Sequence, residues 1–152
     1  LYLIFKTKVR KQKDIYYRYI VFSVINFIIA LVLVCFYFVL SNDYLLFISG
    51  FIFLLGFLTP IITAHLYKII PFLVWFHRFS SLVGKQKVPM LADMVPVKSS
   101  DFGFAFYLLG FILSLIAFIF SSDILFKSAV SFLFVGTSFI VKDVFYIINF
   151  KG

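Results

Sequence analysis

The run Ile20–Leu40 reads IVFSVINFIIALVLVCFYFVL and holds no charged residue. An α-helix needs about 20 predominantly apolar residues to cross a bilayer core of about 30 Å, and this run supplies that length. Working outward from it, three further apolar stretches follow at Tyr44–Ile69, Phe102–Phe120 and Ile124–Asn149. Two of the connections are short, Ser41-Asn42-Asp43 and Ser121-Ser122-Asp123, and the third is a longer polar segment. The pattern predicts an all-α integral membrane protein, a single transmembrane domain over residues 1–152 with four transmembrane helices arranged as two hairpins.

Composition agrees with that reading. With 64% hydrophobic residues and a mean hydropathy of +1.13, a soluble fold would carry large exposed apolar patches. The 152 residues include 24 Phe and 9 Tyr but no Glu, a balance suited to surfaces that meet acyl chains.

Charge sets the expected orientation. Lys6, Lys8, Arg10, Lys11, Lys13 and Arg18 precede the first stretch, opposed only by Asp14, and Arg78, Lys85, Lys87 and Lys98 fall between the second and third. Lys142 and Lys151 lie at the end of the fourth, whereas the two short connections carry no Lys or Arg. Basic residues collect on the cytoplasmic side, so both chain ends are expected in the cytoplasm, in a bacterial inner membrane, with both short turns outside. The net charge of +8 then reflects topology and attraction to anionic lipid; no soluble basic face for nucleic acid is visible. Tyr16, Tyr17, Tyr19, Trp75 and Tyr146 fall near the expected inner boundary, where amphipathic rings favour the headgroup level. Lys127, one turn into the fourth stretch, can snorkel outward.

The chain opens on Leu1-Tyr2-Leu3-Ile4-Phe5 and turns abruptly basic, the reverse of a secretory signal. That order resembles the inner end of a preceding span, so the chain reads as a C-terminal segment of a larger protein. A displacement of 80 residues pairs Ser41, Asp43, Leu45 and Gly56 with Ser121, Asp123, Leu125 and Gly136, as parallel transporter repeats would. Asp43 and Asp123 are expected to serve as N-caps.

The second stretch carries the most specific residues. From Tyr44 to Phe79 one straight helix would run about 54 Å at 1.5 Å per residue, too long for a bilayer core. Pro60 and Pro71 offer places to bend. The expected span ends near Ile69, and Pro71, at a favoured first position, opens an amphipathic interfacial helix over residues 71–84. There Phe72, Phe76, Phe79 and Val83 share one face, His77, Ser81 and Lys85 another, with Gly84 closing the helix. Ser49, Gly56 and Thr63, and on the fourth stretch Ser128, Ser131 and Ser138, form small-residue faces suited to close helix packing.

Ionisable residues at membrane depth are costly and frequently functional. His65 is the candidate for proton transfer or for ligation of a metal or haem, with His77 a second candidate ligand. Pro60, Thr63 and His65 would line a transport path if one exists. The six Asp residues read as loop or cap residues, Asp93 among them. Cys35 is alone, so internal disulfides and thiol metal sites are excluded, and no phosphate loop, nucleophile elbow or zinc-protease pattern occurs.

The run His65-Leu66-Tyr67-Lys68-Ile69-Ile70-Pro71-Phe72-Leu73-Val74-Trp75-Phe76-His77, followed by Lys87-Val88-Pro89-Met90, resembles a segment of large bacterial multi-span membrane proteins similar to heme–copper oxidase subunit I. The quoted residues lie between His65 and Met90. The likeness implies a haem- or respiration-related setting and a larger parent protein, but the metal-ligand pattern of an oxidase centre is not among these residues. Two functions remain: a helical scaffold of a larger membrane assembly without chemistry of its own, or part of a transporter or channel with a path near the Pro-broken second span. The expected partners are the lipid bilayer and other transmembrane helices.

Overall fold

Apolar content on every side of each stretch dictates helices, because a backbone in hydrocarbon must satisfy its own polar groups. A computed structural model describes residues 15–150. Among them are four helices long and apolar enough to cross a membrane: α1 (Ile15–Leu40), α2 (Asp43–Leu82), α3 (Val97–Phe120) and α4 (Asp123–Ile148). They mark an integral membrane protein. The expected preceding span at residues 1–5 and the basic cluster Lys6–Lys13 lie outside the described residues.

α1 and α3 each begin five residues earlier than the apolar runs alone indicate. These extra turns carry Arg18 and Asp101, which pair at 3.0 Å between the two helices. Helical hydrogen bonding thus continues past the apolar boundary, and charged residues occupy the overhang.

The two short turns are built alike. Ser41 and Ser121 both adopt a left-handed conformation with φ 48, the arrangement that closes a helix by returning N–H groups to its last carbonyls. Ser41 N donates to Tyr37 O at 2.8 Å, and Ser122 N to Ala117 O at 3.1 Å. The next residues are extended, Asn42 at φ −103, ψ 107 and Ser122 at φ −103, ψ 111. These are the N-cap positions, and Asn42 accepts the Tyr44 N–H at 3.0 Å. Asp43 and Asp123 therefore sit one residue inside the position expected, in the first turn, where a negative charge still opposes the helix dipole.

α2 does not end at Ile69. Its 40 residues correspond to about 60 Å of helix, and the segment Thr59–Phe79 runs through Pro71 without a break. A proline inside a helix removes one hydrogen bond and crowds one turn; here packing outweighs that loss. Pro71 is buried, Ile70 and Val74 pack on the core, and the Trp75 indole N–H donates to Pro89 O at 2.9 Å. The helix finishes in a short 3-10 turn, Ser80–Leu82, and Gly84 then takes φ +83, a left-handed geometry that glycine adopts without a Cβ penalty. In the following loop Asp93 acts as a turn residue, its carboxylate accepting the Met90 N–H at 3.0 Å.

α1 packs along α2 and α3 along α4; between these pairs α2 meets α4 and α1 meets α3. Near the turns Ala30, Ile52 and Phe111 form one buried cluster, and at the opposite end Ile15, Tyr19, Ala64, Tyr67, Ile140 and Ile147 form a second.

Candidate functional site

Pro60 determines the irregular middle of α2. Immediately before it, Ile52–Leu58 is wound as a π-helix, in which N–H groups bond five residues back. Thr59 N follows that rule by donating to Leu54 O, and the Thr59 hydroxyl donates to the same carbonyl at 2.9 Å. The next donor in the series would be Pro60, which has no N–H, so the Leu55 carbonyl loses its helical partner. The Tyr107 hydroxyl from α3 donates to Leu55 O at 2.6 Å. On the α1 side a Cβ on Gly56 would lie 2.8 Å from Asn26 Cγ, so glycine admits the Asn26 amide, which donates to Phe22 O at 2.8 Å.

Toward the end remote from the turns, three polar side chains from three helices converge. The Tyr67 hydroxyl on α2 donates to Asp143 Oδ2 on α4 at 2.7 Å. Tyr19 of α1 stacks on the Tyr67 ring, centroids 6.1 Å apart at 19°, and meets Phe104 edge-on. Asp143 and Tyr19 are both 0% exposed, and neither Asp143 Oδ1 nor the Tyr19 hydroxyl has a hydrogen-bond partner. Asp143 is thus neither a loop nor a cap residue but a buried residue inside α4. Its spacing to Gly136 and Ala129, seven residues each, carries it onto the buried face of α4.

Tyrosine contacts join the pair α1/α2 to the pair α3/α4 at several heights. Tyr44 at the start of α2 donates to Phe118 O of α3, Tyr107 bonds α2 midway, and Tyr67 reaches α4 at the far end. Arg18–Asp101 and Arg78 donating to Phe150 O at 2.7 Å complete the set.

The candidates named from sequence are placed differently from one another. Ser49 and Thr63 are 3% and 5% exposed, Gly56 and Pro60 are buried, and all four face the bundle. His65 is exposed, its Nδ1 lying 2.7 Å from Ile61 O and its ring edge-on to Tyr16. Pro60 and Thr63 therefore do not share a lining with His65. His77 is also exposed, with Nδ1 2.9 Å from Leu73 O. Twelve residues along one helix place the two imidazoles about 18 Å apart in height and about 120° apart in direction, so they cannot act as a pair of axial haem ligands or as one metal site. Among the described residues no group of three or more metal-ligating side chains occurs.

Ser128, Ser131 and Ser138 lie on the exposed side of α4 and donate to carbonyls four residues back in their own helix. The face that packs on α3 instead presents Ala129, Gly136 and Ile140. Its counterpart on α3 was not anticipated: Gly103, Tyr107, Gly110, Ser114 and Ala117, all buried. Their spacing of three and four residues was the signal available in the sequence. Cys35 lies with Ile28, Leu31, Val32, Phe36 and Val39 in an apolar depression of about 420 Å³ on the outer side of α1.

Comparison of the chain with protein-family models, with curated proteins and with solved structures returned no match.

Proposed function

We propose that this chain is a helical scaffold unit within a larger assembly of the bacterial inner membrane. Two hairpins, α1/α2 and α3/α4, stand with their turns outside and both chain ends in the cytoplasm. The observation that carries the reading is how the interior polar groups are used. Tyr107 and Tyr67 spend their hydroxyls on bonds between helices, and the exposed Tyr44 does the same at the turn end, as membrane helices do when packing must replace the hydrophobic effect. The apolar depression on α1 is a face suited to a further transmembrane helix or to acyl chains. In this arrangement residues 71–84 lie at the inner interface, supported by the excess length of α2 and by exposed Phe72 and Phe76 beside Trp75.

The haem- or respiration-related setting rests on the resemblance of residues 65–77. Any haem contact would engage His65 or His77 singly, with the opposing ligand from another chain. The alternative, a transporter or channel, is favoured by one feature: non-α backbone at mid-depth beside Pro60, where irregular helices in membranes often mark function.

Orientation is tested by cysteine labelling in a Cys35→Ser background. Ser41→Cys and Ser121→Cys are expected to react with an impermeant thiol reagent from outside, and Lys87→Cys only after the membrane is opened. Labelling of Lys87→Cys from outside would overturn the topology. Absorbance of the purified protein in the haem Soret region, compared with a His65→Ala variant, separates the haem-bearing reading from the haem-free ones.

A further inference from the structure

We propose that the π-helical segment Ile52–Leu58 is a swivel. α2 has two hydrogen-bond registers there, and its turn-side part, Asp43–Phe51, rotates when one register replaces the other. This holds whether the chain serves as a scaffold or in transport.

A proline inside a helix leaves one carbonyl without its N–H, and hydrocarbon offers no water to serve that carbonyl. Which carbonyl is left depends on the winding. In the structure Thr59 N–H bonds five residues back, to Leu54 O, so the carbonyl facing Pro60 is that of Leu55. Tyr107 on α3 serves it at 2.6 Å. With α winding Thr59 N–H bonds four residues back, to Leu55 O, and the carbonyl facing Pro60 is that of Gly56. The unserved carbonyl thus moves by one residue, about 100° around the helix.

A second donor stands at that second position. Asn26 of α1 lies against Gly56, where a Cβ would fall 2.8 Å from Asn26 Cγ and 2.9 Å from Oδ1. An amide nitrogen carries two N–H donors, and the bond to Phe22 O at 2.8 Å uses one. Packing against Gly56 needs only a small apolar side chain, whereas an amide 5% exposed carries the cost of a buried polar group. Each register therefore has its own donor: Tyr107 for Leu55 O, and Asn26 for Gly56 O. Thr59 follows either winding. Its hydroxyl now bonds Leu54 O at 2.9 Å, five residues back, while Thr63 in α winding bonds Thr59 O at 2.9 Å, four residues back.

The two ends of α2 are held unequally. Beyond Pro60, Ala64, Tyr67, Pro71 and Phe79 are buried, and Tyr67, Trp75 and Arg78 bond to Asp143, Pro89 and Phe150. Between Asp43 and Phe51 the buried residue is Ser49, whose hydroxyl bonds its own helix at Leu46 O. Tyr44, Leu46 and Phe47 are exposed, and the Tyr44 bond to Phe118 O is the polar tie to α3. Ile48 and Phe51 pack on the Ala30 cluster through apolar contacts that re-form at another angle. The turn-side part is the one that rotates.

The test is the distance between spin labels at Leu46→Cys on α2 and Ile112→Cys on α3, both exposed positions. It is measured by pulsed electron resonance on the full chain in lipid vesicles, in a Cys35→Ser background. One distance is expected with Tyr107 present. Tyr107→Phe removes the donor of that register alone, and a second distance is expected to appear. It is expected to disappear again when Asn26→Leu is added, since leucine keeps the shape of asparagine and both registers have then lost a donor. A single unchanged distance in Tyr107→Phe overturns the proposal. So does a second distance that persists in the double variant, which means loosened packing and not a change of register. Labels at Ile69→Cys and Ile112→Cys are expected to keep one distance throughout; a second distance there would contradict the assignment of the moving part. Helical circular dichroism confirms that the variants remain folded.

Discussion

The pairs α1/α2 and α3/α4 begin from the same turn and the same glycine position, yet they pack by different means. Gly56 and Gly136 each stand thirteen residues after the first-turn aspartate of their helix. At Gly136 a Cβ would fall 2.7 Å from Tyr107 N, and at Gly110 it would fall 2.6 Å from Leu133 N: here backbone meets backbone. At Gly56 the Cβ would instead meet the Asn26 side chain, at 2.8 Å from Cγ. α3/α4 is a close-packed pair held by van der Waals contact, whereas α1/α2 keeps an amide and a π-helical segment between its helices. Two pairs with matching turns thus differ, one closely packed and one with polar side chains and irregular backbone. Buried Ser23, Asn26, Ser49 and Thr63 belong to the latter pair, and Asp143 meets it from α4.

Substitutions at the glycines break this contrast most strongly. Gly110→Ala or Gly136→Ala forces two backbones apart and is expected to destabilise by about 1–3 kcal/mol or more, the cost of overpacking. Gly56→Ala is expected to cost less, since Asn26 can turn aside at the loss of its bond to Phe22. Gly50→Ala, which meets nothing within 4 Å, serves as the control and is expected to be neutral or slightly stabilising by helix propensity. Equilibrium unfolding in mixed micelles ranks them; equal costs at positions 56 and 110 would abolish the distinction between the pairs.

A middle-sized effect is expected at the joint between the halves. Tyr107→Phe leaves the Leu55 carbonyl without a partner and is expected to cost about 1 kcal/mol, in the range measured for interhelical hydrogen bonds in membranes. The smallest effects belong to the exposed serines. Ser128→Ala, Ser131→Ala and Ser138→Ala are each expected to change stability by less than about 0.5 kcal/mol, because their hydroxyls serve only their own helix. A larger loss from any of them would place a partner on that face of α4.

How far the sequence could be read follows from what each residue depends on. The helices were legible because length and apolarity act locally, and the turns because Ser-Asn-Asp and Ser-Ser-Asp are polar breaks between long apolar runs. Pro71 misled because the penalty of proline is local, whereas the contacts of Ile70, Val74 and Trp75 that outweigh it come from elsewhere in the fold. Asp143 was hidden by Lys142 beside it, which gave the pair the look of a membrane boundary; only the seven-residue spacing through Gly136 to Ala129 revealed its buried face. The carbonyl freed by Pro60 was not legible at all, since its consequence is a π-helix upstream and a partner on α3.

The dependence of the Tyr107 bond on Pro60 is the central claim, and a double-mutant cycle with Pro60→Ala tests it most directly. Alanine restores an N–H, which lets α2 satisfy the Leu55 carbonyl within its own helix. Tyr107→Phe, costing about 1 kcal/mol beside Pro60, is expected to cost almost nothing in the Pro60→Ala background. Costs that add to within about 0.3–0.5 kcal/mol, the limit for independent sites, would contradict it.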